Sequence, residues 1–394
     1  MVVYAEYECD NRVRRYAEAL VKRGDSVEII AVSASASSPR EEEICGVKVF
    51  RIQHRSKDER NKWSYAWRLT RFLISSSFVL ARLQMRNHYD LIHIHNMPDF
   101  LVFAAWYPRL RGAKLILDIH DLTPELFVSK FGAQPTSTYV RILKTVEKMS
   151  ARFVDHVIVS NHLWLDTLLA RSVSKEKCSV FINNVDPAIF YPRQRNRADG
   201  KFVILFHGSF QWHQGLNIAI EAFAEVKNQM PQAELHFYGG GNKSIILELT
   251  GLSQRLGLNG SVKFHGLVPL DTIAQIIANA DIGVVPKRAD SFGNEAYSTK
   301  IMEFMSQGIP VVVSRTKVDT FYFNEETVHF FASGDPKALA AAILDVAKDE
   351  KLRNRLVARG FEYADRNGWD GKKKEYFELV DSLTAQIPRH LESV

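Results

Sequence analysis

Apolar positions along the chain fall into two alternating patterns. Short unbroken runs at Val27–Val32, Leu91–His95, Lys114–Ile119 and His156–Ser160 have strand length. The stretches Arg12–Arg23, Trp63–Met85, Phe100–Tyr107 and Val140–Phe153 have helical spacing. Strand–helix alternation of this kind predicts a doubly wound parallel sheet. Pro187–Lys201 is polar and basic and breaks the pattern. After it the alternation resumes, with strands at Phe202–Phe206, Glu234–Tyr238, Ser261–Phe264, Ile282–Val285 and Pro310–Val313. The helices of this half are Leu216–Gln229, Ile245–Leu256, Thr272–Asn279, Thr299–Ser306 and Pro336–Lys348. The reading is α/β: a Rossmann-like domain at 1–190, a linker at 191–200, a second Rossmann-like domain at 201–365 and a helical tail at 366–394 that could cross back to the first. Such halves are expected to face each other across a cleft, with ligands at the carboxyl ends of the strands. A first strand ahead of Arg12–Arg23 has only Met1–Ala5 to use, so it is either very short or missing its natural start.

Composition narrows the class. At 394 residues the chain fits two domains, and 46% apolar with 24% charged residues describes a folded protein. The longest apolar stretches, Phe72–Leu83 and Leu101–Leu110, are too short and too interrupted to span a bilayer, and Glu6, Glu8 and Asp10 occupy the place of a signal-peptide core. Cys9, Cys45 and Cys178 are too few and too scattered for a zinc finger or a disulfide framework. Charge is uneven: residues 1–197 carry 30 Lys and Arg against 21 Asp and Glu, and the remainder 21 against 24. Much of the excess lies in Arg51–Arg86, where Trp63, Tyr65, Trp67 and Phe72 interleave with cations. Rings and cations on one helix suit an anionic membrane surface; the alternative is a helix that packs its rings on a sheet. No nucleic-acid motif accompanies the charge.

The chemistry concentrates in Phe292-Gly-Asn-Glu-Ala-Tyr-Ser-Thr-Lys-Ile-Met-Glu. With Ser298 or Thr299 opening a helix, Glu303 lies just over a turn inside it and Glu295 in the loop before it. The helix end between two acids offers free N–H groups and positive potential to a diphosphate. One carboxylate could hold a ribose diol and the other sugar hydroxyls. The competing reading is two ordinary acids, one on a helix surface and one capping locally.

Glu295-x7-Glu303 followed by Gly308-Ile-Pro-Val-Val resembles the donor-site signature of retaining glycosyltransferases of family 4, which have the two-domain GT-B fold. The resemblance runs over almost the whole chain. It takes in Asp10-Asn-Arg-Val-Arg-Arg, Tyr89-Asp-Leu-Ile-His-Ile-His-Asn, Leu117-Asp-Ile-His-Asp and Phe206-His-Gly-Ser-Phe-Gln-Trp-His-Gln-Gly. It implies that Glu303 binds the nucleotide ribose and Glu295 the hydroxyls of the transferred sugar. The backbone of Ala296, Tyr297, Ser298 and Thr299 would meet the diphosphate, and His120 would reach the sugar. Gly208 would let the main chain approach the phosphates, and Gly266 to Val268 would lie beside the base.

The chain departs from that pattern. Ser209 and Gln214 stand where the family commonly has Arg and Lys to neutralise the diphosphate, and Ala296 and Ser298 replace common glycines. A departing diphosphate needs fixed positive groups. The substitutes expected from the sequence are Lys300 first, then Lys287 and Arg288, then His213. Asp99, Asp121 and Glu125, near strand ends in the basic half, are candidates for acceptor hydroxyls. No Asp-x-Asp occurs, and no paired spacing makes a metal site of His207, His236 or His265, so neither a metal nor a cofactor is expected.

The resemblance implies sugar transfer with retention, from a UDP- or GDP-linked donor to a hydroxyl of a glycan or lipid-linked acceptor in cell-surface polysaccharide or glycolipid synthesis. The protein would be cytoplasmic, at the inner face of the plasma membrane. The rivals are a nucleotide-sugar epimerase or phosphorylase of the same fold, and a carbohydrate-binding scaffold that has lost catalysis. An NAD enzyme is disfavoured because no Gly-x-Gly-x-x-Gly follows a strand.

Overall fold

A computed structural model describes residues 1–33, 35, 37–54 and 62–385, apart from the side chains of residues 62, 63 and 65. The described residues divide into two compact units, one drawn from 1–128, 132–183 and 373–385, the other comprising residues 129–131 and 184–372.

The first unit is built on eight strands: β1 (Val2–Glu6), β2 (Glu28–Ser33), β3 (Glu41–Ile44), β4 (Val47–His54), β5 (Leu91–His95), β6 (Lys114–Ile119), β7 (His156–Val159) and β8 (Cys178–Val180). Their order is β3-β4-β2-β1-β5-β6-β7-β8, parallel except for the β3–β4 hairpin. The short first strand is central. Val2, Val3 and Tyr4 are buried between β2 and β5. The β3–β4 hairpin escapes the apolar pattern because β3 is three glutamates and an isoleucine at an exposed edge. Its turn is Cys45-Gly46, both residues at positive φ, the geometry that two-residue hairpins require.

The second unit holds β9 (Phe202–Phe210), β10 (Ala233–Gly241), β11 (Val262–Phe264), β12 (Ile282–Val285), β13 (Val311–Ser314) and β14 (His329–Phe331). All pairings are parallel, in the order β11-β10-β9-β12-β13-β14. The order reverses direction at β9–β12, and in such sheets the crevice at the carboxyl ends of those strands is where ligands bind. Phe206, Phe223 and Phe237 pack one face of the sheet, and Ile301, Met302 and Phe304 the other.

Residues 191–200, expected as a linker, belong to the second unit. The Arg197 guanidinium pairs with Asp281 and reaches the Asn279 carbonyl at 3.1 Å, and Asn196 N–H donates to the Asn279 side chain at 2.9 Å. Basic residues that look like solvated linker are tethers to one acid, Asp281, 84 positions beyond Arg197. The C-terminal helix Trp369–Thr384 supplies Tyr376, fully buried, to the core of the first unit.

Candidate functional site

In the second unit the carboxyl end of β9 carries His207, Gly208 and Ser209. Gly208 has φ 127°, and a Cβ there would stand 3.1 Å from Lys300 Cε and 3.5 Å from Nζ. The missing side chain therefore makes room for Lys300 as well as leaving the main chain open to approach. Lys300 Nζ donates to Gln214 Oε1 at 2.9 Å and lies 5.2 Å from the centre of the Phe206 ring. Burial pushes it down to about 8, with Lys287 also lowering it and Glu303 and Asp319 opposing.

The remaining expected cations have other tasks. His213 is buried, its ring edge-on to Phe292, and its Nε2 accepts from the Gln214 amide at 3.0 Å. Burial pushes it down to about 4, so it is neutral at pH 7 and cannot serve as a cation. Lys287, 2% exposed, pairs with fully buried Asp319 at 2.9 Å and donates to the Ala296 carbonyl at 2.7 Å. Its charge is spent on pinning the loop before the helix Thr299–Met305 to the helix Lys317–Tyr322, not on a ligand. The Arg288 guanidinium stacks 3.8 Å over Trp212 and donates to Asn217 Oδ1 at 2.8 Å, while its backbone N–H meets the His213 carbonyl. Gly215 closes this turn: at φ 66° it lies so near Pro286 that a Cβ would fall 2.0 Å from the Pro286 oxygen.

The loop ahead of the helix is held at several points. Asp290 Oδ1 accepts the N–H groups of Phe292 and Gly293, and Asn294 bonds Lys317 and Val318. Glu295 is partly exposed, with Lys317 Nζ at 3.7 Å. The Tyr297 ring turns into the core against Tyr322 and Phe323, so only its backbone can face a ligand. Ser298 caps the helix without a side-chain bond; Ile301 N–H donates to the Ser298 carbonyl at 3.2 Å, and the N–H groups of Thr299 and Lys300 have no preceding helical carbonyl. Glu303 Oε2 lies 3.3 Å from His207 Nε2; burial and the Lys300 charge push His207 down to about 3, so it is neutral. Ser209 is exposed on β9 opposite Gly240. The Gly266 carbonyl accepts from Gly239 N–H at 2.8 Å, and Val268 packs against the core. The structure thus brings Lys300, Gln214, His213 and Gly208 into one cluster with His207 and Glu303 beside it, and sets Glu295 in the loop before the helix.

In the first unit His120 follows β6, its side chain partly exposed. Its Nε2 lies 3.2 Å from Asp118 Oδ2 and 3.2 Å from His95 Nδ1. Two of the expected acceptor residues are already committed. Asp99 is buried, its Oδ1 accepting from the Asn96 amide and the Thr123 hydroxyl; burial pushes it up to about 6. Glu125 gives both oxygens to Arg171, which also pairs with buried Glu147. Asp121, beside His120, is half-buried, and burial raises its pKa. Sequence reasoning missed Asp118 and Arg12. An aspartate inside the apolar run Lys114–Ile119 was the available signal, since a buried carboxylate demands a partner.

The helix Lys62–Asn87 buries Leu69, Phe72, Leu80 and Leu83 and turns Trp67 (66% exposed), Ile74, Phe78 (73%) and Met85 outward. Trp106 and Leu110, on the helix packed beside it, are exposed as well. Residues 55–61 and the Trp63 and Tyr65 side chains lie outside the described residues.

Two family models match consecutive parts of the chain: a glycosyl transferase 4-like domain over residues 9–184 and glycosyl transferases group 1 over residues 189–363. A phosphatidyl-myo-inositol mannosyltransferase of Mycobacterium leprae is 23% identical over 95% of this chain and 92% of its own length. Among solved structures, sucrose-phosphate synthase from Thermosynechococcus elongatus superposes with TM-score 0.78 at 22% identity, over 95% of this chain and 93% of that one. The Anabaena protein HepE, in complex with UDP-glucose, gives 0.72 at 17% identity, over 97% and 98%.

Proposed function

We infer the reaction from one premise: this chain belongs to the glycosyl transferases group 1 family and is a glycosyltransferase of the GT-B class. It moves a sugar from a UDP- or GDP-linked donor, with retention of configuration, to a hydroxyl of a glycan or lipid-linked acceptor. The observation that carries this reading is Lys300, a cation held beside Gly208 by an uncharged amide, in the first turn of a helix that contains Glu303 and follows the Glu295 loop. Lys300 and the first-turn N–H groups answer the charge that grows on the diphosphate as the bond to the anomeric carbon breaks. Glu303 takes the ribose diol and Glu295 the sugar hydroxyls. HepE, solved with UDP-glucose, binds a donor of the proposed class.

In the transfer, the anomeric C–O bond to phosphate breaks and its electron pair leaves with the diphosphate. The acceptor oxygen bonds the same face of the oxocarbenium-like carbon, and its proton passes to the departing phosphate oxygen. Lys300 does the neutralising that a divalent ion would otherwise do, so a chelator leaves the rate unchanged. Release of nucleoside diphosphate from a panel of UDP- and GDP-sugars tests the reading. Glu295→Ala should lower turnover on the order of a hundredfold or more. Full activity in that variant, or epimerised sugar without diphosphate release, defeats it.

The outward residues Trp67, Ile74, Phe78 and Met85, with Arg71, Arg82 and Arg86 on the same helix, support a second reading: peripheral binding to an anionic membrane on the cytoplasmic side. No described helix is long and apolar enough to cross one. Sedimentation with phosphatidylglycerol vesicles, lost in Trp67→Ser/Phe78→Ser, is the expected result; equal binding by the variant refutes it.

A further inference from the structure

His120 is the one member of a buried polar cluster that reaches the surface of the first unit, and the cluster decides which of its nitrogens does so. Side chains alternate along a strand, so His93 and His95 share one face of β5, and Asp118 and His120 share the same face at the end of β6. Register sets His95 opposite Asp118. A carboxylate so placed is stable only if it is answered. Arg12, from the helix Asn11–Arg23, does so with two bonds, Nε to Oδ2 and Nη2 to Oδ1, each 2.8 Å, and turns Nη1 to the Phe181 carbonyl at 2.8 Å.

We propose that Asp118 is the positioning residue of His120, holding Nε2–H inward and turning Nδ1 outward as the atom that meets a sugar hydroxyl. The inference rests on the donor-sugar role given to His120 above. Two proton arrangements fit the distances. His95 Nδ1–H can donate to Asp118 Oδ2, 3.2 Å away, leaving the buried His95 Nε2 as a bare lone pair. Alternatively His95 Nδ1 accepts from His120, and then a buried Nε2–H has no partner. The second is the costlier, since an unsatisfied buried donor forfeits a hydrogen bond. In both, His120 carries its proton on Nε2, because a lone pair there would face a carboxylate.

The backbone cannot relax this choice. His120 N–H donates to Asn96 Oδ1 at 2.8 Å, and its carbonyl accepts from Ser160 Oγ at 2.8 Å. Below the pair, the His93 ring stacks on His95 at 4.2 Å and its Nδ1 meets the Tyr376 hydroxyl at 3.0 Å, sealing the cluster. His93, His95 and Asp118 approach one another closely enough to suggest a cation site. Arg12 already occupies both oxygens of Asp118, which makes the group an ion-pair cluster instead.

Protonation follows from the same neighbours. Burial lowers the His120 pKa, but Asp118 below it and Asp10, which caps the helix Asn11–Arg23, outweigh burial and the opposing Arg12, leaving it raised. His95 is lowered by burial and stays neutral, and Asp121 is the next acid along the loop. Neutral His120 accepts a hydrogen bond from the hydroxyl at Nδ1; protonated, it cannot. Turnover therefore falls as pH drops through a value raised from the ordinary imidazole one.

Ring ¹⁵N NMR of the full chain, with His120 assigned by its loss in His120→Asn, tests the wild type directly. The Nε2–H tautomer with a raised titration midpoint is expected. The Nδ1–H tautomer, or a midpoint at or below the ordinary value, overturns the proposal. Asp118→Asn offers its carbonyl to Arg12 and its NH₂ to His120. The acid limb of kcat/KM should then move down by about one pH unit or more. An unmoved limb in a folded variant also overturns it; if the variant does not fold, the wild-type spectrum decides. Unchanged turnover in His120→Ala would remove the role on which this rests, whatever the tautomer.

Discussion

Each unit holds a charged side chain near the carboxyl end of its sheet, Asp118 fully buried and Lys300 partly so, and the two are answered differently. Asp118 meets Arg12 bidentately and two histidines besides. Lys300 meets an amide oxygen and an aromatic face, and the carboxylates of Glu303 and Asp319 act on it through space. Lys287, thirteen positions before Lys300, is the internal control, for it has Asp319 at 2.9 Å. A charge matched inside the fold fixes geometry and is unavailable to anything else. A charge left with neutral partners costs stability and is poised for an anion from outside. By that criterion Asp118–Arg12 and Lys287–Asp319 are frameworks, and Lys300 is the group that awaits a ligand.

The largest effect that separates them is on stability. Asp319→Ala leaves Lys287 buried and unpaired and should lower the unfolding free energy by about 3–5 kcal/mol, read as a fall in the urea midpoint. Lys300→Met should leave the midpoint unchanged or raise it slightly. An equal loss in both variants would erase the distinction.

Catalysis should reverse that ranking. Lys300→Met removes the cation that answers the leaving diphosphate, and kcat should fall on the order of 10²–10³-fold in steady-state assays. If kcat falls by less than about tenfold, the charge that compensates for Ser209 and Gln214 lies elsewhere.

The sequence made the sheets legible where apolar runs alternate with helical spacing. Leu216–Gln229, Ile282–Val285 and Pro336–Lys348 have the bounds their patterns predict. It hid β3, whose residues are mostly charged, and β8 and β14, three residues each. In the site, Lys300 was readable because it lies inside the two-glutamate motif. The tasks of Lys287, Glu125 and Asp99 were not, because each is set by partners that only folding delivers: Asp319, Arg171, and the pair Asn96 and Thr123. Motif spacing names residues that face the same way, whereas ion pairing across strands and helices decides which of them is still free to act.

A smaller effect follows from pH. Lys300 is pushed down to about 8, and a bound diphosphate pulls it back up. The donor therefore binds the protonated form. Affinity should be flat below that value and fall up to about tenfold per pH unit above it. Without donor the sign differs: the unfolded chain holds this proton more tightly, so the contribution of Lys300 to stability rises between pH 8 and the ordinary lysine value of 10.5. Calorimetry of UDP-sugar or GDP-sugar binding in two buffers of different ionisation enthalpy should show proton uptake near pH 8. A pH-independent affinity from 7 to 9 would mean that Lys300 does not touch the diphosphate.

The smallest effect comes from converting one region into the other. Gln214→Glu places a carboxylate where the amide oxygen now accepts from Lys300 Nζ at 2.9 Å, giving Lys300 what Lys287 already has. With His213 moving its proton to Nε2 to face the new carboxylate, the pair should raise the Lys300 pKa toward its usual value and stabilise the unit by up to about 1 kcal/mol. The same carboxylate repels a diphosphate, so donor affinity should fall severalfold while the proton uptake near pH 8 disappears. The two readouts move in opposite directions, and that opposition is the discriminating result. A variant that gained stability and kept its affinity would show that Lys300 serves the fold as Lys287 does, and that the anion is held by the helix N–H groups alone.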